Sequence, residues 1–318
     1  MKPFFLTAIL FVFGLFVLTP YTHALTISPV RVEVTGDPGQ TLRGELEMLN
    51  EQGEAKVFFS SFENFEPAGD TGSPKFIGSK DGLATWLQTD NNVTIGVGEK
   101  KVIPYTITVP SDAEPGGYFA AIFWGGQDPE TQVAGEVAIG GKLGVLMLLR
   151  VRGDIVESAG ISEYRTQSGS RFFSTTPIVF SYRFANQGGD RVVPLGDIVV
   201  KNIFGGVAAS LKANENEGNV LPSSSRKFLP VWGEVSFATS SLSFIGSVKK
   251  QVSDFHFGMY TAELNLVYGA TNQTSSDSFI FFIIPWQLCI VIFVVIVTLY
   301  VLLKQYNKMI ITKSNKKN

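Results

Sequence analysis

Few side chains in this sequence are equipped for catalysis. Past residue 24 the only histidine is His256, in DFHFGMY, and the only cysteine is Cys289, inside an uncharged apolar run. A serine hydrolase would need His256 as its general base and a serine on a G-x-S-x-G turn, and that turn is absent. The alternation around His256 predicts a strand residue at a sheet surface. Carboxylates need no histidine. Glu63, Glu66 and Asp70, set among Phe62 and Phe65, could hold and hydrolyse a sugar if two of them faced each other across the scissile bond. The plainer reading is solvated loop acids above buried aromatics. Asp70, Asp81 and Asp90 offer oxygen ligands for calcium, but no calcium-loop spacing surrounds them.

The remaining motifs fail on context. GEVAIGGKL, from Gly135, has the look of a phosphate loop, yet Gly135 to Lys142 is one residue too long and Leu143 stands where Ser or Thr would hold magnesium. Gly96-x-Gly98 has no third glycine. Without cysteine pairs or His/Cys clusters there is neither a disulfide nor an ordinary zinc, haem or iron-sulfur site, so no metal, no cofactor and no catalytic residue is expected. Trp86, Trp124 and Trp232 could line a glycan or peptide groove, but each lies in or beside an alternating run, which favours a core or sheet-edge place. Asn92-Val93-Thr94 and Asn272-Gln273-Thr274 match glycosylation acceptors. No residue can be assigned to a ligand at this stage.

The chain that must position these residues is exported and anchored. Residues 1–24 read as a signal peptide: Lys2 is the positive start, Phe4 to Leu18 the apolar stretch, and Thr22-His23-Ala24 the cleavage site. Fifteen residues at ~1.5 Å each reach about 22 Å, short of a ~30 Å hydrocarbon core. Trp286 to Leu303 carries no charge and is long enough to span. Lys304, Lys308, Lys313, Lys316 and Lys317 follow without an acid, which places the C-terminus in the cytoplasm as a basic tail, 304–318. Trp286, Tyr300 and Tyr306 suit the interfacial belts. Of 26 Lys and Arg, one lies in the leader and five in the tail, leaving 20 against 28 Asp and Glu, so the region between carries about −8. That balance disfavours nucleic acid as a partner. Export without disulfides suggests a prokaryote that does not rely on oxidative folding.

Between Leu25 and Ile284 hydrophobic residues alternate with period two, and helical periodicity is almost absent. Val30, Val32 and Val34 form one such series. The others are Ile103, Tyr105, Ile107 and Val109; Ile178, Phe180, Tyr182 and Phe184; and Tyr260, Ala262, Leu264, Leu266 and Tyr268. Turn residues separate them. Leu143 to Leu149 reads as a strand buried on both faces or as the last strand of a first domain, and the Gly-rich stretch Glu66 to Gly82 as a long loop or insertion. Two landmarks recur. Gly116-x-Tyr118-x-Ala120 returns as Gly258-x-Tyr260-x-Ala262, 142 positions later, and Asn50-Glu51-Gln52-Gly53-Glu54 as Asn186-Gln187-Gly188-Gly189-Asp190, 136 positions later. The prediction is an all-β chain of two tandem immunoglobulin-like β-sandwich domains, 25–157 and 158–284, followed by a transmembrane helix at 285–303. Tyr118 should lay its ring between the sheets and aim its hydroxyl at backbone near the corner.

The segments ISPVRVEVTGDPGQ and VTIGVGEKKVIPYTITVPSDAEPGGYFAAIFW, with this layout, resemble the WxL-interacting proteins of bacterial surfaces; EPGGYFAA departs from the usual run of that family. The resemblance implies two immunoglobulin-like domains, the first associated with peptidoglycan and the second with host or matrix proteins, and a partner chain carrying the WxL motif. The expected function is a non-catalytic, single-pass type I membrane protein that binds a cell-envelope partner, a surface protein or peptidoglycan. The alternatives are an envelope glycan hydrolase using loop carboxylates, and a secretion or assembly accessory protein similar to pilus chaperones.

Overall fold

A computed structural model describes residues 25–128, 141–234 and 243–315. The expected signal peptide, the glycines of the phosphate-loop lookalike before Gly141 and the last three tail residues lie outside the described residues. The chain is all-β with a long C-terminal helix, and it divides into two compact units. One contains the chain up to Glu66 and Pro74–Ile155; the other contains Pro67–Ser73 and everything from Val156.

The first unit holds β1 (Leu25–Ser28), β2 (Arg31–Gly36), β3 (Thr41–Asn50), β4 (Lys56–Ala68), β5 (Ser73–Gly78), a single helical turn α1 (Leu83–Trp86), β6 (Leu87–Thr89), β7 (Asn92–Ile95), β8 (Lys100–Thr108), β9 (Gly116–Gly125) and β10 (Lys142–Val151). One sheet has the order β1-β3-β8-β6, the other β2-β10-β9-β4-β5, with β7 also paired to β4. Their facing sides share one core. Leu46 and Met48 come from β3, Ile103, Tyr105 and Ile107 from β8, Ala120, Ile122 and Trp124 from β9, and Val145, Met147 and Leu149 from β10. The two-residue period of a strand puts each set on one side, and each large aliphatic or aromatic residue so buried contributes roughly 1.5–3 kcal/mol. Opposite Tyr105 stands Gly44, whose missing side chain makes room for the phenol ring.

The second unit repeats that plan. Its strands are β11 (Ala159–Thr166), β12 (Phe172–Phe173), β13 (Ile178–Asn186), β14 (Leu195–Asn202), β15 (Val207–Lys212), β16 (Ser224–Phe228), β17 (Val231–Trp232), β18 (Gly258–Tyr268) and β19 (Gln273–Ile283), with helix α2 (Phe244–Ser253) before β18. The sheets are β11-β13-β16, with β17 on β13, and β12-β19-β18-β14-β15. In both units the first strand pairs antiparallel with the next long one, β1 with β3 and β11 with β13. The chain then crosses to the other sheet to pair in parallel with the last strand of the unit, β2 with β10 and β12 with β19.

The repeated sequence landmarks do the same work in each copy. Asn50, fully buried at the end of β3, donates from Nδ2 to the carbonyls of Glu54 (2.9 Å) and Ile95 (3.0 Å) and accepts from the Gln52 amide (3.0 Å). Asn186, at the end of β13, donates to Asp190 (2.7 Å) and Val220 (2.9 Å) and accepts from the Gly188 amide (2.9 Å). One amide thus saturates three backbone groups that the turn would otherwise leave buried and unpaired. Gly116 and Gly258 open β9 and β18 with φ of +152° and +112°, a region that side-chain-bearing residues avoid. Tyr118 packs against the core with its ring 4.5 Å from that of Trp86, and its hydroxyl donates to the Glu114 carbonyl at 2.9 Å, the corner expected for it.

Several expectations are corrected. Glu66 to Gly82 is no loop: β4 continues to Ala68 and turns into β5, with Gly69 and Gly72 at φ +59° and +77° supplying the bend that makes the stretch glycine-rich. Val30 falls between β1 and β2 and is exposed, while Val32 and Val34 face the core. Both readings of Leu143–Leu149 hold in part. β10 is the last strand of its unit and is buried on both faces around Met147, Leu148 and Leu149, but Leu143 is exposed. Helical structure is present where none was expected, in α1 and in the ten residues of α2. After β19 comes α3 (Trp286–Asn315), whose Trp286–Ile310 segment has mean hydropathy 2.7 and none of it packed inside the protein. It is long and apolar enough to cross a membrane.

Candidate functional site

The residues singled out for chemistry are dispersed. Glu63 and Glu66 lie three apart on β4, so the strand pleat sends them to opposite faces, and they cannot form an acid/base pair. Glu66 instead pairs with Lys75 across the hairpin at 2.7 Å, both exposed. Asp70 sits in the turn at the hairpin tip, Asp81 lends its carbonyl to Asn64 Nδ2 (2.6 Å), and Asp90 lies in the turn between β6 and β7. Among the described residues no group of three His, Cys, Asp or Glu could hold a metal ion. Gly96 and Gly98 form the tight turn before β8, closed by the Glu99 carboxylate on the Gly96 amide (2.6 Å). Asn92 and Asn272 are both exposed.

His256 is not on a strand; it lies in the short link between α2 and β18, with its ring edge-on to Trp232 at 4.8 Å. Its Nδ1 is 3.2 Å from Asp254 Oδ1, and Asp254 also accepts a hydrogen bond from the buried Thr176 hydroxyl. A hydrolytic triad needs the histidine between acid and nucleophile. Here the acid stands between the other two, which ties the link to the bend just before β13. Trp124 and Trp232 are buried core residues and Trp86 is half-buried on the core through Tyr118; none lines a groove. Burial also raises the Tyr164 and Tyr182 phenols well above their ordinary pKa, both in the second core.

What the structure does assemble is an aromatic face. Along β9, Tyr118, Ala120, Ile122 and Trp124 point into the core, so Phe119, Ala121 and Phe123 point outward. Phe119 packs at 5.9 Å from Phe65 of β4, Phe65 at 6.1 Å from Phe76 of β5, and Phe76 at 4.8 Å from Phe123, mostly edge to face. Beneath Phe123 lies Gly144 of β10, where an added Cβ would stand 2.7 Å from the ring. Phe76 and Ile77 remain exposed, and Phe119 and Phe123 are half-buried. On the other side the face runs over Leu146 and Leu148 to β2, where Arg31 and Glu33 pair with each other at 3.0 Å. The result is an outward sheet surface of clustered rings, with Ser61 and Glu63 of β4 set across from Phe123 and Ala121 and a charged pair at the β2 rim. Its sequence signal is YFAAIFW itself: aromatic residues at both parities of one strand, where a half-buried strand would alternate with polar ones.

No family model matches this chain, and no curated protein does. Solved structures similar to it include the class 5 fimbriae chaperone CfaA, at 15% identity over 82% of this chain and 100% of that one, TM-score 0.39. Another is the chaperone–tip adhesin pre-assembly complex CsuC–CsuE of Acinetobacter baumannii, at 10% identity over 80% and 97%, TM-score 0.37. A third is the E. coli chaperone DraB, at 11% identity over 82% and 97%, TM-score 0.35.

Proposed function

We propose that this is a non-catalytic, membrane-anchored binding protein. In this reading its two sandwiches are immunoglobulin-like and extracytoplasmic, α3 is the single span of a type I membrane protein, and the basic tail is cytoplasmic. The ligand is a protein of the cell envelope, engaged by the outward aromatic face of β4, β5 and β9. The observation that carries this is the cluster of Phe65, Phe76, Phe119 and Phe123 on the side of the sheet turned away from the core. Desolvating such rings against a partner is what hot spots of protein interfaces do. A glycan would need several hydrogen-bonding groups beside the rings; on this face only Ser61 and Glu63, across from Phe123 and Ala121, stand among them, and the rim charges Arg31 and Glu33 pair with each other. The hydrolase alternative loses its acid pair to the strand pleat. The WxL-interacting layout of leader, tandem sandwiches and C-terminal span agrees with this reading, and a surface protein is the partner it favours over peptidoglycan.

The test compares full-length wild type with Phe123→Glu and Phe76→Glu, held in lipid nanodiscs, for retention of extracted envelope proteins and of purified peptidoglycan. Saturable retention of one protein, weakened roughly thirtyfold by either charge at about 2 kcal/mol per hot-spot residue, is expected. Retention by peptidoglycan that ignores both substitutions would contradict it.

A further inference from the structure

Helix α2 has an apolar stripe that, among the described residues, is covered only at its Phe244 end and around half-buried Val248. At 100° per residue Phe244, Val248, Val252 and Ile245 fall within a third of the circumference. Ile245 is 79% exposed and Val252 60% exposed, and Phe244 is exposed as well. Just beyond the helix Phe255 and Phe257 are both exposed, on either side of the inward-facing His256. Five exposed apolar side chains thus lie within fourteen residues, against a soluble surface's habit of scattering them singly. The helix is well formed: Ser243 caps it by accepting from the Gly246 amide at 3.2 Å. It carries Lys249 and Lys250 and no acid.

Its position settles what that stripe would meet. Gln251, on the flank of the stripe and 1% exposed, donates from Nε2 to Gln287 Oε1 and accepts from the Leu288 amide at 2.9 Å. Phe244 packs edge-on to Trp286 at 6.3 Å. Trp286, Gln287 and Leu288 are the first turn of the apolar helix α3. A segment fastened to that turn sits at the depth where the span enters the hydrocarbon, and an amphipathic helix with lysines on its polar side is built for that boundary.

We propose that α2, with Phe255 and Phe257, is an interfacial helix: it lies on the outer surface of the bilayer, sinks its apolar stripe among the acyl chains and sets Lys249 and Lys250 among the phosphates. This rests on α3 being a membrane span. The consequence is that the membrane-proximal unit is held to the lipid at two points, the span and the helix, and does not swing on a single tether.

The experiment uses the full chain with Cys289→Ser, reconstituted in vesicles of phosphatidylcholine and phosphatidylglycerol, with single spin-labelled cysteines at Ile245→Cys, Val252→Cys, Val294→Cys in the span and Ser210→Cys on exposed β15. Collisional access to oxygen and to a water-soluble nickel chelate is measured at each site. The proposal expects the 294 label deep in lipid, the 245 and 252 labels oxygen-accessible at a depth of about 5–10 Å, and the 210 label nickel-accessible. If 245 and 252 behave like 210 while 294 is in lipid, the interfacial helix is wrong and the span stands. Nickel access at 294 would overturn the span and the helix together. Labels at 245 and 252 shielded from both reagents would mean that protein, not lipid, covers the stripe, and would also overturn the proposal.

Discussion

β9 and β18 occupy the same place in their two units, and set residue against residue they agree on one side and part on the other. Facing the core, Tyr118, Ala120, Ile122 and Trp124 correspond to Tyr260, Ala262, Leu264 and Leu266. Facing outward, Phe119, Ala121 and Phe123 correspond to Thr261, Glu263 and Asn265, and Glu263 is held by Lys201 at 2.6 Å. The core side is fixed by the demand of closing a sandwich; the outward side is free to differ, and of these two strands β9 alone fills it with aromatic rings. The connections differ in a complementary way. Before the Gly-x-Tyr-x-Ala strand the first unit uses residues 109–115 and the second 233–257, which include α2. After that strand the first unit takes 126–141 to reach its last strand and the second only 269–272. The shared frame is therefore scaffold, and what distinguishes the units is where function is to be sought.

The largest effect is expected where the frame is shared. Asn50→Ala and Asn186→Ala each strand two buried carbonyls and an amide, at about 3 kcal/mol, or about 10 °C in the melting temperature of the affected unit. Thermal unfolding of the two variants should show matched losses in different units, and a loss in one only would break the equivalence. Next comes binding: Phe123→Glu should weaken partner retention roughly thirtyfold, whereas Asn265→Glu, at the matching place, should leave it unchanged.

Smaller effects sharpen the comparison of the cores. Tyr182→Phe loses the hydroxyl bond to the Ala213 carbonyl (3.1 Å) and should cost about 1 kcal/mol. Tyr164→Phe removes a buried hydroxyl that has no partner among the described residues and should stabilise the second unit or leave it unchanged. Both phenols are raised by burial, so in the folded state they stay neutral while in the unfolded state they ionise near pH 10. The stability they contribute is full below that pH and falls as pH rises above it, by up to ~1.4 kcal/mol per pH unit for each tyrosine. Urea titrations from pH 8 to 11.5 should show this decline in the second unit, shallower in Tyr182→Phe. Tyr118→Phe should cost about 1 kcal/mol or less in the first unit, since the lost corner bond to Glu114 is near solvent.

The inward half of the fold was legible because alternation reports burial directly: Ile103, Tyr105, Ile107 and Val109, or Ile178, Phe180, Tyr182 and Phe184, are all buried. The Asn50/Asn186 repeat was legible too, since a turn-pinning amide requires the same spacing wherever it is used. Two features escaped. Glycine at 69 and 72 marks a hairpin turn as readily as a loop, and only the pairing of β4 with β5 separates them. The ten residues of α2 are too few for a helical period to stand out in a chain of alternating strands. The aromatic face was hidden for a further reason. Phe119 and Phe123 share their strand with inward-facing Tyr118 and Trp124, and which parity faces out depends on the sheet that lies opposite.

The most direct test places a photo-crosslinking phenylalanine analogue at position 123 in one full-length protein and at position 265 in another, both in native membranes. A discrete protein adduct is predicted from position 123 and none from position 265. Equal adducts from both positions, or none from position 123, would contradict the assignment of binding to the aromatic face of the first unit.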